Sequence, residues 1–144
     1  MANVDKERKL QNKAKSWLIH DLGYTYLGNL EDQNNRCIKP DLLKANLEKR
    51  GYKREQIAIA MSELANLVGN QVDSLYKVNK DVYSLLRYGR QGAKDDKNNR
   101  QTVHYIDWNN IENNDFYLAE EVTALCYDGH SRKRPDLVIY INGI

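Results

Sequence analysis

The carboxylate of Asp136 stands at a position where a charged side chain can do chemistry. It follows Pro135 and precedes an uninterrupted apolar run, residues 137–141. Such a run is typical of a strand covered on both faces. Pro135 suits the first position of this strand because proline has no N–H to leave unpaired. A carboxylate at the mouth of a buried strand is costly unless it is paired or holds a metal ion. The alternative to a metal ligand is that Asp136 caps the strand or pairs with Lys133 or Arg134.

The residues before this run predict the strand that would position Asp136. Residues 116–127 are rich in aromatic and β-branched residues, which favour a strand. Asp128-Gly129 is a hairpin-turn signal, so we expect this strand to pair with the strand that follows Asp136. Glu120 and Glu121 lie on the first strand, and alternation sends their side chains to opposite faces. One of them could lean toward Asp136, but solvent exposure of both is the favoured interpretation.

The N-terminal part of the chain, residues 4–89, predicts helices. Apolar residues recur at helical spacing, and Pro or Gly residues mark the ends. The last helix is expected to be broken near Asn79, and a short strand is expected at residues 24–27. The predicted helices span residues 4–22, 40–51, 54–67 and 75–89. The apolar stripe of the first helix consists of Leu10, Ala14, Trp17, Leu18 and Leu22. The stripe of the third helix consists of Ile57, Ala60, Met61, Leu64 and Leu67.

The remaining part, residues 102–144, is predicted to be β-rich. Residues 102–106 alternate well enough for a strand, with Val103 and Tyr105 on one face. The polar residues 90–100, among them Lys94, Lys97 and Arg100, predict a mobile, solvated surface loop. No convincing domain boundary occurs. The chain of 144 residues is therefore predicted to be a single α+β domain with helices first and strands last.

The C-terminal residues resemble a known family. Residues 112–116 (Glu-Asn-Asn-Asp-Phe), 134–139 (Arg-Pro-Asp-Leu-Val-Ile) and 141–143 (Ile-Asn-Gly) are similar to the N-terminal nuclease region of type I restriction endonuclease restriction subunits. The helical part also resembles this family, with less specific motifs. The resemblance implies a partial restriction-endonuclease-like sheet with the Pro-Asp of a PD-(D/E)xK site.

That resemblance implies a role for Asp136 as a catalytic metal ligand. Mg²⁺ prefers hard oxygen ligands, stabilises charge on a phosphate and helps generate a hydroxide nucleophile. The Glu-x-Lys of the family would follow on the next strand, and this chain ends inside the Asn-Gly turn before it. We therefore expect a fragment that is inactive alone, and one less stable than the complete domain because apolar surface on residues 137–141 loses its cover.

The same resemblance implies the partners of the complete subunit. It would join methylation and specificity subunits, act on double-stranded DNA and hydrolyse ATP with a motor outside this chain. Arg132, Lys133 and Arg134 suit contacts with DNA phosphates, and a solvated turn is the alternative. The competing hypothesis is a non-catalytic module whose helices, residues 40–88, dock onto DNA or a partner subunit.

Bulk properties exclude other classes. The net charge of +2 argues for no particular partner, and no apolar run approaches the roughly 20 residues of a membrane span. The charged N-terminus and the two distant cysteines, Cys37 and Cys126, favour a reduced, cytoplasmic protein. Cys126 and His130 are half of a zinc site at best, since zinc needs about four ligands. His20 and His104 carry no motif.

Overall fold

The computed structural model describes residues 2–31, 37–94, 100–126 and 129–144. Helices and mixed β-sheets in these residues confirm the α+β class. No helix among them is both long and apolar enough to span a membrane. The helices are α1 (Ala2–Ser16), α2 (Pro40–Lys49), α3 (Arg54–Val68) and α4 (Leu75–Tyr88), with a π-helical turn at Trp17–Asp21 and a 3₁₀ turn at Ile111–Asn113; the strands are β1 (Thr25–Asn29), β2 (Arg90–Lys94), β3 (Arg100–Val103), β4 (Phe116–Glu120), β5 (Ala124–Leu125), β6 (Arg132–Lys133) and β7 (Leu137–Ile141).

The chain forms two compact units. The first unit comprises Met1–Lys39 and Asp115–Ile144, and the second comprises Pro40–Asn114. The first unit therefore joins the N-terminal helix to the C-terminal strands, and the second contains the other three helices. The single domain predicted over residues 1–144 stays a prediction.

The first unit is built around a three-stranded mixed sheet in the order β1-β4-β7. β4 runs parallel to β1 and antiparallel to β7, with Leu118 opposite Ile139 and Ala119 opposite Val138. Leu118 and Ala119 are 0% exposed, as expected for the middle of the central strand. This pairing confirms the prediction that the strand from Phe116 lies beside the strand that follows Asp136.

β4 buries apolar side chains on both faces of this sheet, but β7 is not covered equally on both faces. Tyr140 is buried in a cluster with Leu30, Ala119 and Val122. Its neighbour Ile139 points to the opposite face and is 46% exposed. The prediction of a strand covered on both faces was therefore wrong at Ile139. The contacts that α1 makes with this face involve polar side chains, described below, and they leave Ile139 accessible.

The first helix differs from its prediction in the way it packs. Its α-helical part ends at Ser16, the π-helical turn continues it, and Gly23 with a φ of +71° ends it as predicted. The apolar stripe is only partly buried, since Ala14 and Leu18 are half-buried but Leu10, Trp17 and Leu22 are 69%, 55% and 48% exposed. The helix also contacts the sheet through Gln11 and Lys15. The expectation of an apolar packing face was therefore wrong for the three exposed residues.

The predicted strand over residues 116–127 is interrupted after Glu120. Glu121 has a φ of +51°, a conformation that few non-glycine residues adopt. Its backbone N–H turns toward the neighbouring strand and donates to the carbonyl of Asp136 at 3.0 Å. This turn ends the ladder between β4 and β7.

A short hairpin, β5 with β6, follows that interruption. Ala124 lies opposite Lys133, and the N–H of Cys126 donates to the carbonyl of Ser131 at 2.7 Å. Gly129 has a φ of +73°, which suits the predicted turn, and Asp128 lies outside the described residues. The strand that follows begins at Leu137 rather than at Pro135.

The second unit packs α2, α3 and α4 with the antiparallel hairpin of β2 and β3. Ser74 caps α4 by accepting a hydrogen bond from the Lys77 N–H, and α4 runs unbroken to Gly89. The expected break near Asn79 was therefore wrong. Apolar side chains at helical spacing fill the core, as predicted; those that are buried include Leu43, Leu47, Ile57, Ala60, Leu64, Val78 and Leu85. Val103 and Tyr105 are buried with them, although the strand predicted over residues 102–106 ends at Val103.

Residues 90–94 are a strand and not the predicted loop. Arg90 begins β2 and is held by Glu63, with 2.8 Å between Nε and Oε2. Gly92 lies so close to β3 that a Cβ there would be 2.5 Å from the carbonyl oxygen of Gln101. The polar composition of residues 90–94 gave no strand pattern, because the strand is held by backbone hydrogen bonds that do not depend on apolar side chains. Residues 95–99, including Lys97, lie outside the described residues.

The last residues of the chain form a tight turn around Asn142-Gly143. Both residues have positive φ, +56° and +93°, as in a type I′ turn. Ile141 and Ile144 exchange two backbone hydrogen bonds of 2.9 and 3.0 Å. Asn142 is fully buried, and its Oδ1 accepts a 2.7 Å hydrogen bond from the N–H of Asp115. The side chain of Asn142 therefore ties the end of β7 to the start of β4.

We predict that Asn142→Ala lowers the free energy of unfolding by about 2–4 kcal/mol. The substitution removes the acceptor of the Asp115 N–H and replaces asparagine, which tolerates the left-handed region, by alanine, which rarely adopts it. Asn142→Gly keeps the backbone conformation and should lose only about 1–3 kcal/mol, from the hydrogen bond. Urea unfolding followed by circular dichroism measures both. Asn79→Ala on the exposed side of α4 is the control, and equal stability of Asn142→Ala and the control would contradict the prediction.

Candidate functional site

Asp136 lies immediately before β7 with an exposed side chain. Its backbone carbonyl accepts the hydrogen bond from Glu121 and lies 3.5 Å from Nε2 of Gln11 on α1. The end of β4 and one side chain of α1 therefore hold the backbone of Asp136. Its carboxylate is left available at the surface, as a metal ligand requires.

Glu120 lies at the end of β4 and is the most enclosed carboxylate near Asp136. It pairs directly opposite Leu137, and its side chain is 13% exposed. Its Oε2 lies 2.6 Å from Nζ of Lys15 and accepts a hydrogen bond from the hydroxyl of Tyr26. Lys15 also places its ammonium 4.5 Å from the ring centroid of Tyr26. Three chain segments, α1, β1 and β4, therefore converge on one carboxylate.

The pKa values of this cluster follow from its hydrogen bonds. Burial by itself would raise the pKa of Glu120, but the hydrogen bonds from Lys15 and Tyr26 and the charge of Lys15 together lower it. The hydrogen bond from Lys15 to Glu120 raises the pKa of Lys15. The separate hydrogen bond from Tyr26 to Glu120 raises the pKa of Tyr26. The cluster therefore holds a glutamate anion and a lysine cation near neutral pH.

Arg134, two residues before Asp136, is held by two carboxylates. Its guanidinium pairs with Glu31, and its Nε lies 3.1 Å from Oε2 of Glu121. The ion pairs of Arg134 in the described part of the chain are thus with these two residues and not with Asp136. Because Arg134 is two residues from Asp136, these pairs fix the approach of the chain to β7.

These contacts change the interpretation of the predicted site residues. The favoured expectation that Glu120 and Glu121 are solvent-exposed was wrong, since each is partly enclosed in an ion pair. Arg132 and Lys133 are exposed on β6, as phosphate contacts would require. Their role as DNA contacts, and that of Arg134, stays a prediction.

Gln11 and Lys15 are the site neighbours that sequence reasoning missed. They lie four residues apart, so they share one face of α1. This spacing was the available signal that the two polar side chains could make contacts together. The adjacent apolar stripe favoured a different packing face. Their partners on β4 and before β7 are more than 100 residues away in sequence, so no local pattern connects them.

The described side chains were compared with those that a bound metal ion requires. Within residues 2–31, 37–94, 100–126 and 129–144, no group of three or more His, Cys, Asp or Glu side chains is close enough to hold a metal. Glu120, an enclosed carboxylate at the end of the neighbouring strand, already has Lys15 as its partner. The described residues therefore do not form a complete Mg²⁺ site, and Asp136 offers one oxygen-bearing ligand group.

Comparison with known proteins decides the family. Residues 5–144 match the family model described as "Type I restriction enzyme R protein N terminus". The chain belongs to this family. It is also 25% identical to a protein of Methanocaldococcus jannaschii described as a type I restriction enzyme MjaIXP endonuclease subunit. The alignment covers 99% of this chain and 15% of that relative, so the chain spans a small part of the relative's length. No solved structure gives a significant match.

We predict that Lys15→Met raises the pKa of Glu120. The substitution removes a hydrogen bond and a positive charge while the carboxylate stays enclosed. Because the folded-state pKa of Glu120 is lowered, its stabilising contribution is present above the ordinary glutamate pKa and is lost as the pH falls through the folded-state value. That loss should be smaller in Lys15→Met than in the unmodified chain.

Carbon-detected NMR titration of the Glu120 carboxyl group and unfolding curves below neutral pH measure the two effects. Lys13→Met is the matched control because Lys13 is an exposed lysine on the same helix. An unchanged pKa of Glu120 in Lys15→Met would show that the ion pair does not set the ionisation of this carboxylate.

Proposed function

We propose that the chain contributes Asp136 to the Mg²⁺-dependent cleavage site of a type I restriction enzyme, which cuts foreign DNA. Asp136 would supply one oxygen ligand to Mg²⁺ and the other ligands would come from residues outside those described. The complete restriction subunit would act with methylation and specificity subunits in an ATP-dependent complex in the cytoplasm. The 144-residue chain by itself would not cleave DNA.

The observation that carries this proposal is the placement of Asp136 in a chain of this family. Its backbone is held by Glu121 and Gln11, while its carboxylate is exposed at the end of a paired strand. A catalytic metal ligand needs this combination of a fixed backbone and an accessible oxygen. Mg²⁺ commonly uses one or two carboxylates and completes its shell with water and substrate phosphate oxygens.

We predict that Asp136→Asn in the complete restriction complex lowers DNA cleavage by more than about 100-fold. The amide keeps the shape of the side chain and removes the negative charge that would hold the ion. Plasmid linearisation with Mg²⁺ measures the effect, and DNA binding by the complex should be unchanged. Asp41→Asn, an exposed substitution in the first turn of α2, is the control. Normal cleavage by the Asp136→Asn complex would exclude a role for Asp136 as a metal ligand.

The isolated chain gives an independent test of the same site. Purified residues 1–144 should not nick plasmid DNA at any Mg²⁺ concentration, because one carboxylate does not form a complete site. Mg²⁺-dependent nicking that disappears in Asp136→Ala would show that these residues suffice, and it would overturn this part of the proposal.

We predict that the exposed residues of β6 contribute phosphate contacts to duplex DNA binding. The double variant Arg132→Gln, Lys133→Gln should reduce the slope of log K against log salt by about 1.8, since each phosphate contact contributes about 0.9. Arg134→Gln should change the slope less, because its guanidinium is already paired with two carboxylates. Fluorescence anisotropy across a salt series measures the slopes, with Lys80→Gln on α4 as the control. A slope that the double variant leaves unchanged would exclude these contacts.

A second candidate function is a non-catalytic interaction module in the second unit. Apolar side chains are exposed around the connection between α3 and α4, where Val72 is 96% exposed and Tyr76 is 79% exposed. Exposed apolar clusters of this kind mark protein-binding surfaces. Should Asp136→Asn leave cleavage intact while Val72→Lys prevents association with the methylation or specificity subunit, this candidate would replace the first.

A further inference from the structure

The second unit contains an open cleft of about 420 Å³ that the proposed cleavage chemistry does not use. Its walls come from the end of α2, the end of α4 and the segment that follows β3. The lining combines aromatic rings, guanidinium groups and amide side chains, and its volume falls within the usual range for ligand sites. The aromatic and basic residues that line it are Arg50, Tyr52, Arg87, Tyr88, His104 and Trp108.

Trp108 is held in one orientation at the edge of this cleft. Its indole N–H donates a 3.0 Å hydrogen bond to the carbonyl of Leu86, and the guanidinium carbon of Arg87 lies 5.2 Å from the ring. The side chain is nevertheless 49% exposed. The guanidinium of Arg87 lies over one face of the indole, so a planar base would stack on the exposed remainder of this fixed ring.

Arg50 provides a second positive group in the cleft. Its guanidinium carbon lies 5.3 Å from the Tyr52 ring, and its donors reach the Tyr52 hydroxyl at 3.3 Å and Oδ1 of Asn46 at 3.2 Å. These hydrogen-bond partners are neutral, so they orient the guanidinium, and the carboxylate whose charge interacts with it is that of Asp107. The group can therefore still attract a phosphate.

Asp107 is the carboxylate among the lining residues, and its oxygens are already used. They accept hydrogen bonds from Nδ2 of Asn113 at 2.8 Å and from the N–H groups of Asn109 and Asn110 at 3.1 and 2.9 Å. The hydrogen bond from Asn113, the backbone hydrogen bonds and the charge of Arg50 lower the pKa of Asp107. Asp107 therefore shapes the loop, and the two arginines outweigh its charge.

We propose that this cleft binds an unpaired nucleotide of a DNA strand, with the base stacked on Trp108 and the phosphate near Arg50 and Arg87. Aromatic rings next to guanidinium groups are the usual means of holding single-stranded nucleic acid. A base in duplex DNA is already stacked and does not expose its face to such a ring. The proposal depends on the proposed function only for the choice of DNA as the strand.

Intrinsic fluorescence of Trp108 tests this site directly. The chain has two tryptophans, so Trp17→Phe leaves Trp108 as the sole reporter. Titration with a dT12 oligonucleotide without Mg²⁺ should quench that fluorescence, and a twelve-base-pair duplex should bind more weakly. The same titration with dTMP distinguishes a strand from a free nucleotide. Equal affinity for dTMP and dT12 would overturn the assignment to a strand.

Variants separate stacking from charge in the same assay, read by anisotropy of labelled dT12. Trp108→Ala should weaken binding roughly tenfold, as for loss of one base–aromatic stack, whereas Trp108→Phe should retain most of the affinity. Arg87→Met should reduce the salt slope by about 0.7, the value for one phosphate of a single strand. Tyr83→Ala is the control because Tyr83 is an exposed ring on α4 that does not line the cleft.

Two further results would overturn the proposal. One is equal dT12 binding by Trp108→Ala, Trp108→Phe and the unmodified chain. The other is displacement of dT12 by an acidic polyglutamate peptide at equal concentration. That result would mean that the negative charge of a ligand is sufficient for binding in the cleft. Because no metal and no cleavage are involved, failure here leaves the role of Asp136 standing. Loss of that role would likewise leave strand binding intact.

Discussion

The hydrogen-bonded pairing of β4 with its two neighbours is the constraint on which the first unit depends. β4 buries Leu118 and Ala119 completely between β1 and β7, so its register determines which residues of β7 face the core. Its end matters as much as its middle. Glu121 leaves the strand with a positive φ and donates its N–H to the carbonyl of Asp136. The position of the candidate metal ligand is therefore a consequence of where β4 stops.

Charge balance around that point explains why two glutamates beside Asp136 are tolerated. Glu120 is enclosed and would be costly as an unpaired anion, but Lys15 and Tyr26 stabilise its charge. Arg134 does the same for Glu121 at a more exposed position, where each pair contributes less. The carboxylate of Asp136 stays accessible at this end of the sheet, since it is exposed and no ion pair in the described residues holds it. An arrangement of this kind separates structural carboxylates from the carboxylate that we propose as a metal ligand.

The second unit uses a different principle, in which cations are placed against neutral aromatic rings. The guanidinium of Arg50 contacts the Tyr52 ring and the Asn46 amide, and that of Arg87 lies over the Trp108 ring. The helices beneath this surface are fixed by ordinary apolar packing around Leu47, and by the contact of the Tyr105 hydroxyl with the carbonyl of Ala60 at 2.7 Å. A rigid core thus presents charged and aromatic groups in a defined geometry.

The sequence by itself determined the α+β class, the helical stripes of α3 and α4, the pairing of the two C-terminal strands and the family. These features depend on periodicity, turn residues and a short motif, all of which are local. Only the tertiary structure decided that α1 contacts the sheet through Gln11 and Lys15, that Glu120 is enclosed and that Arg134 is ion-paired. It also revealed β2, whose polar residues gave no strand pattern. The reason is that ion pairs and backbone ladders join residues far apart in the chain, and their energies depend on distance and burial, which no local pattern contains.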